Sequence, residues 1–290
     1  MRTLSDARHR YAELVRSSAQ IRSERLVRAL SEVPRENFLG PGPWKIMRHI
    51  FPLKYEDSPD ANPAHIYDDV LVALDFARGL NNGLPSALAR WIDATDIAPG
   101  ERVVHAGCGT GYYTALIAHM VGSDGCVIAI EYDPDLAARA RVNLREFPQA
   151  EVIAGDATTY DPGPADAIFV NAGATHPLPL WLDSLKPNGR LVFPIVRWPD
   201  GARFGESIAG WGVMIRIQRM QSGYSAQWLS PCGFYPCFGA VDAEADRRLA
   251  EAFAQNGLTD VHSLRREAHE REASCLLHGE GYCFSSIGAT

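Results

Sequence analysis

From residue 102 onward, short apolar runs alternate with stretches of helical periodicity, and this alternation restricts the possible folds more than any other feature. Nearly continuous apolar strands separated by helices are typical of a parallel sheet covered by helices on both faces. The sequence therefore predicts a doubly wound α/β sheet. In chain order, the predicted strands are 102–106, 126–130, 151–153, 165–170 and 190–196, and the predicted helices are 112–121, 134–147 and 180–185.

The stretch before this alternation is predicted to be helical, with one long loop. Ser5 or Asp6 is expected to cap a first helix, and Ser23 is expected to cap a second. Residues 40–63 are rich in Pro, Gly and aromatic residues, so they are predicted to form an ordered loop rather than a helix or strand. A further helix is expected at residues 86–94.

The stretch after the alternation indicates additional β-structure. Residues 212–220 and 224–229 alternate apolar and polar side chains around a Gln-Ser-Gly turn, which predicts a β-hairpin appended to the sheet. Asp242 is expected to cap a helix that runs to about residue 255. Short strands are then expected around Val261 and residues 275–284.

Charge and length exclude several classes of protein. The 28 Lys and Arg residues are outnumbered by 35 Asp and Glu residues, so the net charge of -7 opposes binding to nucleic-acid phosphates. No apolar run approaches the ~20 residues of a membrane-spanning helix, and the first 20 residues lack the apolar core of a signal peptide. The six cysteines are scattered, which suits reduced thiols. We therefore expect a cytoplasmic protein that binds neither nucleic acid nor membrane.

A glycine-rich loop follows the first predicted strand, at residues 107–111 (Gly-Cys-Gly-Thr-Gly). Glycines allow a ligand to approach the backbone at the carboxyl edge of the sheet, where open α/β folds bind their ligands. The spacing differs from the dinucleotide-binding pattern because Tyr112 occupies the position of its third glycine. No Lys-Ser or Lys-Thr pair follows, so a P-loop is also excluded.

Acidic residues follow the next two predicted strands. Glu131 lies about 20 residues after the loop, where an acidic side chain binds ribose hydroxyls in nucleotide-binding α/β folds. Asp156 repeats this placement one strand later and is expected to accept a hydrogen bond from an adenine amino group. The alternatives are a solvated carboxylate for Glu131 and a turn-capping side chain for Asp156. We favour a nucleoside site.

The glycine loop and the two acids resemble the class I S-adenosylmethionine-dependent methyltransferases, and further motifs resemble the protein-L-isoaspartate O-methyltransferases. The resemblance covers roughly the first 240 residues and implies a Rossmann-like methyltransferase sheet that binds S-adenosylmethionine. The segments that carry it are 23–30 (SERLVRAL), 33–38 (VPRENF), 67–69 (YDD), 109–112 (GTGY), 185–192 (LKPNGRLV) and 233–236 (GFYP). The cofactor-binding residues that it implies are Gly107, Cys108, Gly109, Gly111, Tyr112, Glu131, Tyr132, Asp156, Ala157 and Asn171.

The sequence is expected to divide into three regions. These are an N-terminal helical and lid region at 1–85, an S-adenosylmethionine-binding domain at 86–240, and an α/β extension at 241–290. Residues 40–83 are expected to form the lid and the acceptor pocket above the methyl donor. Three aromatic residues either line this pocket or anchor the loop: Trp44, Phe51 and Tyr55.

The chain departs from the resembled family where the methyl acceptor binds. The family's Thr-Ile-Ser segment is replaced by Asn81-Asn82-Gly83, so Gly83 occupies the position of a serine whose hydroxyl serves the acceptor. His105 ends the first strand where the family usually has an acid, and Asn171 ends the fourth where it tends to have Thr. We therefore predict an O-methyltransferase that acts on another carboxylate, or another oxygen nucleophile, of a peptide or small molecule. The predicted catalytic residues are Asn82, Gly83 and His105.

Two other functions remain open. One is genuine protein-L-isoaspartate repair, in which Asn81 and Asn82 replace the lost hydroxyl contacts. The other is a non-catalytic scaffold that binds S-adenosylmethionine and uses its C-terminal extension to bind a partner. His105 and His176 are either general bases for a hydroxyl or amine acceptor, or hydrogen-bonded structural histidines.

Four residues near the C-terminus suggest a zinc site by composition: His269, Cys275, His278 and Cys283. Their spacing matches none of the usual ligand pairs. Half-buried thiols on strands are the simpler interpretation. The sequence therefore predicts no metal site.

Overall fold

The computed structural model describes residues 3–48, 54–198, 210–255 and 257–289, so Phe51 lies outside the described residues. The described helices are α1 Leu4–Ala19, α2 Glu24–Glu32, α3 Pro85–Asp93, α4 Tyr112–Val121, α5 Pro134–Asn143, α6 Pro179–Asp183 and α7 Ala243–Gln255. The described strands are β1 Lys45–Met47, β2 Glu56–Asp57, β3 Leu71–Asp75, β4 Leu80–Asn81, β5 Arg102–Ala106, β6 Cys126–Glu131, β7 Ala150–Ala154, β8 Ala165–Val170, β9 Leu185–Arg197, β10 Gly210–Arg219, β11 Tyr224–Phe234, β12 Ser263–Arg265, β13 Cys275–Gly279 and β14 Tyr282–Ser285. Each of these helices is too short or too polar to cross a membrane.

The chain divides into two compact units. The first contains residues 1–100 and 108–154, and the second contains residues 101–107 and 155–290. The division passes through the glycine loop, between Gly107 and Cys108. The three regions expected from the sequence stay a prediction.

The N-terminal helices of the first unit begin at side-chain caps. Thr3 accepts a hydrogen bond from the Asp6 amide at 3.1 Å, and the Asp6 carboxylate accepts one from the Thr3 amide at 2.8 Å. The prediction that Ser5 or Asp6 caps α1 is wrong, because Thr3 and Asp6 together satisfy two backbone donors reciprocally. Ser23 caps α2 as predicted, since its hydroxyl accepts from the Leu26 amide at 3.3 Å.

The segment predicted to be a loop at 40–63 contains β1 and β2, which belong to an antiparallel sheet with the order β2-β1-β3-β4. The loop prediction is wrong there because strands of two or three residues are too short to produce a periodic pattern. The indole of Trp44 donates to the Gly40 carbonyl at 3.0 Å, and Tyr55 packs edge-on against Phe76. These contacts favour an anchoring role for the two aromatic residues.

β6 and β7 pair in parallel in the first unit, and α5 lies between them in the chain. The predicted end of α5 at residue 147 is wrong, since the helix ends at Asn143. Pro148 disfavours helical geometry at the residue before it, and the Phe147 amide closes a turn on Leu144 instead.

The second unit is built on a sheet with the order β13-β14-β12-β11-β10-β9-β8-β5. β5, β8 and β9 are parallel, and the bounds of β5 and β8 match the prediction. The hairpin of β10 and β11 pairs antiparallel with β9, and β12 extends the sheet from β11. The appended hairpin and the α/β extension are therefore confirmed.

Candidate active site

The carboxylate of Glu131 holds the glycine loop in the first unit. The Gly109 amide donates to one carboxylate oxygen at 2.7 Å, and the Asp133 amide donates to the other at 3.0 Å. Burial raises the pKa of Glu131, and hydrogen bonds from the amides of Asp133, Gly109 and Tyr132 oppose that rise. Each carboxylate oxygen can accept two hydrogen bonds, so Glu131 retains capacity for the hydroxyls of a ligand.

The loop presents bare backbone at Gly109. A Cβ on Gly109, which has a φ of +58°, would meet no heavy atom within 4 Å. At Gly111, by contrast, a Cβ would lie 2.9 Å from Leu144 Cδ1, so this glycine permits close packing of α4 against the end of α5. The Cys108 amide donates to the Ile130 carbonyl at 3.2 Å, and burial raises the pKa of the Cys108 thiol, which stays neutral. The loop therefore offers a ligand backbone groups rather than reactive side chains.

The two tyrosines predicted to bind cofactor have opposite surroundings. The side chain of Tyr112 is fully buried, and its hydroxyl lies 3.3 Å from that of Tyr11. Tyr112 therefore contributes to the core, and only its backbone is available for the predicted role. Tyr132 directly follows β6 and is 58% exposed, which leaves its ring accessible to a ligand.

Asn171 braces the start of the glycine loop in the second unit. Its side-chain amide donates to the Gly107 carbonyl at 3.2 Å, and its backbone amide donates to the Ala106 carbonyl at 2.8 Å. A Cβ at Gly107 would lie 3.1 Å from the Asn171 carbonyl oxygen. The structure thus gives Asn171 a positioning role at the loop.

Asp156 adopts the turn-capping arrangement on one of its carboxylate oxygens. The amide and hydroxyl of Thr158 both donate to Oδ1, at 2.8 and 2.7 Å. Oδ2 accepts no hydrogen bond from the residues that the structure describes, so capping leaves one oxygen for a ligand. The Ala157 carbonyl accepts from the Trp181 indole at 2.9 Å, which fixes the backbone beside it.

Both candidate bases have the surroundings of structural histidines. His105 is fully buried, stacks on Phe169 at 5.3 Å between ring centroids, and has a pKa lowered to about 3 by that burial. His176 stacks on Tyr282 and lies 3.0 Å from the Thr175 hydroxyl through Nδ1, and burial lowers its pKa. We assign neither histidine a base role, and the catalytic prediction for His105 stays untested.

The Asn81-Asn82-Gly83 segment of the first unit has a defined turn geometry. The Gly83 amide donates to the Asn81 side chain at 2.9 Å, and the Asn82 amide donates to the Val72 carbonyl at 2.9 Å. Gly83 has a φ of +75°, and a Cβ there would lie 2.8 Å from Leu88 Cδ2. A serine would therefore be strained at this position, so Gly83 contributes conformation and close backbone approach rather than a hydroxyl.

Asn82 carries the unusual side chain of this segment. The residue is 8% exposed, and its side-chain nitrogen has no hydrogen-bond partner within the described ranges. A buried amide donor without a partner costs free energy, so this nitrogen is a candidate to bind a ligand or an ordered water. The expected ligand atom is an acceptor such as a carboxylate oxygen.

Arg35, whose role no sequence pattern predicted, organises the chain leading to Asn82. Its guanidinium is fully buried and donates to the carbonyls of Ile66, Asp68 and Val70, at 2.6, 3.2 and 2.9 Å. It also lies 5.6 Å from the centre of the Tyr11 ring. Arg35 lies in a short polar turn next to Glu36 and Asn37, so nothing in the sequence marks it as buried, and its three acceptors are backbone atoms that no residue pattern reveals.

Comparisons with known proteins identify the family. The model of the protein-L-isoaspartate(D-aspartate) O-methyltransferase family matches residues 9–203, which is more than half of the chain. The chain belongs to this family. The protein-L-isoaspartate O-methyltransferase of Hyperthermus butylicus is 33% identical over 261 residues, covering 84% of this chain and 95% of that protein. That of Methanopyrus kandleri is 34% identical over 194 residues, covering 65% of this chain and 76% of that protein.

Solved structures of methyltransferases share the fold. One protein-L-isoaspartate O-methyltransferase superposes with a TM-score of 0.62 at 20% identity, covering 85% of this chain and 69% of that one. Another, from Plasmodium falciparum in complex with S-adenosyl-L-homocysteine, has a TM-score of 0.58 at 18% identity and covers 79% of this chain and 97% of that one. These findings confirm the predicted α/β methyltransferase fold. Together with the family match, they confirm an S-adenosylmethionine-dependent methyltransferase.

Replacing Glu131 with Ala should weaken the binding of S-adenosylhomocysteine by about 1 to 3 kcal/mol, because the ligand loses a charged acceptor. Titration calorimetry measures this loss, and a thermal melt shows whether the variant remains folded. Glu151→Ala, at an exposed carboxylate on β7, is the matched control and should bind normally. Unchanged affinity in folded Glu131→Ala would remove Glu131 from the site.

The burial of His105 predicts a specific acid sensitivity. The unfolded chain protonates His105 below about pH 6.5, whereas the folded chain keeps it neutral to about pH 3, so its contribution to stability is lost as the pH falls through that window. When the pH falls from 7.5 to 5.0, the free energy of unfolding of the natural chain should therefore decrease by about 2 kcal/mol more than that of His105→Phe, which has no imidazole at this position. Urea unfolding at both pH values measures this, with exposed His262→Phe as control. An equal loss in all three proteins would contradict the assignment.

Proposed function

We propose that this enzyme methylates the side-chain carboxylate of an isoaspartyl residue in a protein or peptide. The observation that carries the proposal is the match to a relative named for this activity, over 84% of this chain and 95% of that protein. The family match also spans the glycine loop, Glu131 and residues 81–83, which we assign to acceptor binding and call the acceptor segment. This acceptor replaces the different carboxylate or small molecule that the sequence favoured, because the comparisons support the protein substrate better.

The residues present fit S-adenosylmethionine. We assign the ribose hydroxyls to Glu131, whose carboxylate keeps accepting capacity beyond its backbone hydrogen bonds. For Asp156, whose Oδ2 accepts no hydrogen bond from the described residues, the predicted partner stays an adenine amino group. The methionine portion is assigned to the bare backbone at Gly109, where even a Cβ has open space. When bound, S-adenosylmethionine supplies a methyl group on a positively charged sulfur.

The chain's own task is to orient the acceptor. A carboxylate is ionised at neutral pH, so its oxygen can accept a methyl group without a base. This agrees with the buried, neutral state of His105. We assign orientation of the carboxylate to the unpartnered side-chain nitrogen of Asn82. Its donor would pair with one carboxylate oxygen and leave the other to form the ester.

One observation favours a second candidate, methylation of a carboxylate in a different context. Gly83 has a left-handed backbone and contacts Leu88 too closely for the serine that the resembled family uses. A pocket without that hydroxyl could select another carboxylate-bearing peptide. The two candidates share the cofactor site and differ only in the acceptor.

A pair of peptides that differ only in an isoaspartyl or an ordinary aspartyl residue separates the candidates. With labelled S-adenosylmethionine, the isoaspartyl peptide should gain a base-labile methyl ester at least about tenfold faster than its counterpart. No label in either peptide, together with labelling of another acceptor in a cell extract, would favour the second candidate. Binding of S-adenosylhomocysteine without any transfer would favour the non-catalytic scaffold.

Asn82→Ala should lower the kcat/KM for the accepted peptide about 10- to 100-fold, because a hydrogen bond to a charged acceptor is lost. Affinity for S-adenosylhomocysteine should stay nearly unchanged. Asn37→Ala, at an exposed asparagine of the same unit, is the control. A variant that loses cofactor binding and activity together, or neither, would show that Asn82 does not contact the acceptor.

A further inference from the structure

A β-bulge brings two residues of β13 onto one face of its hairpin with β14. Cys275 lies opposite Ser285 and His278 lies opposite Cys283, with a register shift between Cys275 and Leu277. Residues three apart on a regular strand point to opposite faces, but the extra residue of the bulge restores Cys275 and His278 to the same face. Cys283, directly across from His278, shares that face.

His269 completes a cluster of four side chains from the loop before the hairpin. One ligand-type atom from each of His269, Cys275, His278 and Cys283 lies within 4.8 Å of the other three. The His269 Nε2 is 3.5 Å from the Cys275 sulfur. The sequence spacing hid this cluster because a bulge and a loop, rather than a short ligand pair, bring the residues together.

The two imidazoles are oriented for coordination. Nδ1 of His269 lies 2.9 Å from the Glu267 carbonyl, so it donates there and leaves Nε2 as an acceptor facing Cys275. Fixing the remote ring nitrogen on a carbonyl is the usual support of a metal-binding histidine. Nδ1 of His278 is buried and has no hydrogen-bond partner among the described residues. A ligand on this nitrogen would remove that cost.

Hydrogen-bond donors surround the two sulfurs. Arg265 donates to the Cys275 sulfur at 3.3 Å and lies 3.9 Å from the Cys283 sulfur. The Glu272 amide also donates to the Cys275 sulfur, at 3.4 Å. The Glu272 side chain pairs with Arg265 at 2.6 Å and holds the guanidinium in place. Such donors stabilise thiolates, which are the metal-binding form of cysteine.

We propose that His269, Cys275, His278 and Cys283 bind one structural Zn²⁺ ion. Two thiolates and two imidazoles form a tetrahedral ligand set that suits zinc. Bonds of ~2.3 Å to sulfur and ~2.0 Å to nitrogen imply ligand separations of about 3.3 to 3.8 Å, so the cluster needs only small side-chain movements. Four protein ligands leave no open position, so the ion joins the loop to the β13–β14 hairpin and takes no part in methyl transfer.

Metal analysis of the full chain tests this proposal. Protein produced with added zinc and purified without chelators should contain about one zinc per chain. Cys283→Ser and His278→Ala should each lose the metal. Cys232→Ser, at another buried thiol of the same unit, and His262→Ala, at an exposed histidine, should keep it.

Two measurements on the natural chain keep the test valid if a ligand variant fails to fold. Chelator should lower the thermal midpoint, and cobalt added to the stripped protein should give sulfur-to-metal charge-transfer absorption. The proposal would be overturned if the purified protein contained no metal and chelator left its thermal midpoint unchanged. A disulfide between Cys275 and Cys283 in metal-free protein, or zinc retained by both ligand variants, would overturn it equally.

Discussion

The hydrogen bond from the Gly109 amide to the buried carboxylate of Glu131 fixes the shape of the glycine loop. A glycine-rich loop has almost no side chains to pack, so its conformation must come from backbone partners. The parallel pairing of β6 with β7 fixes the end of β6 that carries Glu131. The same carboxylate therefore shapes the loop and keeps accepting capacity for the ribose that we propose it binds. Losing it would disturb both functions.

The acceptor segment depends on a comparable interaction in another part of the same unit. Residues 66–70 pair with no strand in the part of the chain that the structure describes, and the Arg35 guanidinium satisfies three of their carbonyls. β3 follows directly, and the Val72 carbonyl binds the Asn82 amide. The unpartnered side-chain nitrogen of Asn82 is thus positioned through backbone contacts that begin at a buried arginine. Because Gly83 has no side chain, we assign the hydrogen bond to the acceptor to this nitrogen of Asn82.

The sequence predicted those parts of the molecule that periodicity and strand ends determine. The bounds of β5, α4 and β8 agree with the prediction because each of these elements is an apolar run whose ends are marked by residues that favour turns. Glu131 could be predicted as a site residue because it lies at a strand end, and its ligand-binding role stays a prediction. The strands β1, β2 and β4 contain only two or three residues each, which is below the length at which a periodic pattern forms.

The remaining features arise from contacts between residues distant in sequence. The carbonyl acceptors of Arg35 lie about 30 residues away from it in the chain, and composition carries no trace of them. The side-chain nitrogen of Asn82 lacks a partner among the described residues because Asn82 is buried, and the sequence does not indicate that this polar residue is buried. The cluster of His269, Cys275, His278 and Cys283 depends on one inserted residue in β13, which a spacing rule cannot detect.

A crystal structure of the chain with S-adenosylhomocysteine tests the central claim most directly. The account predicts that the ribose hydroxyl oxygens lie about 2.6 to 3.2 Å from the Glu131 carboxylate while the Gly109 amide stays bound to it. A ribose bound away from Glu131, or a loop in which Gly109 has left that carboxylate, would contradict it.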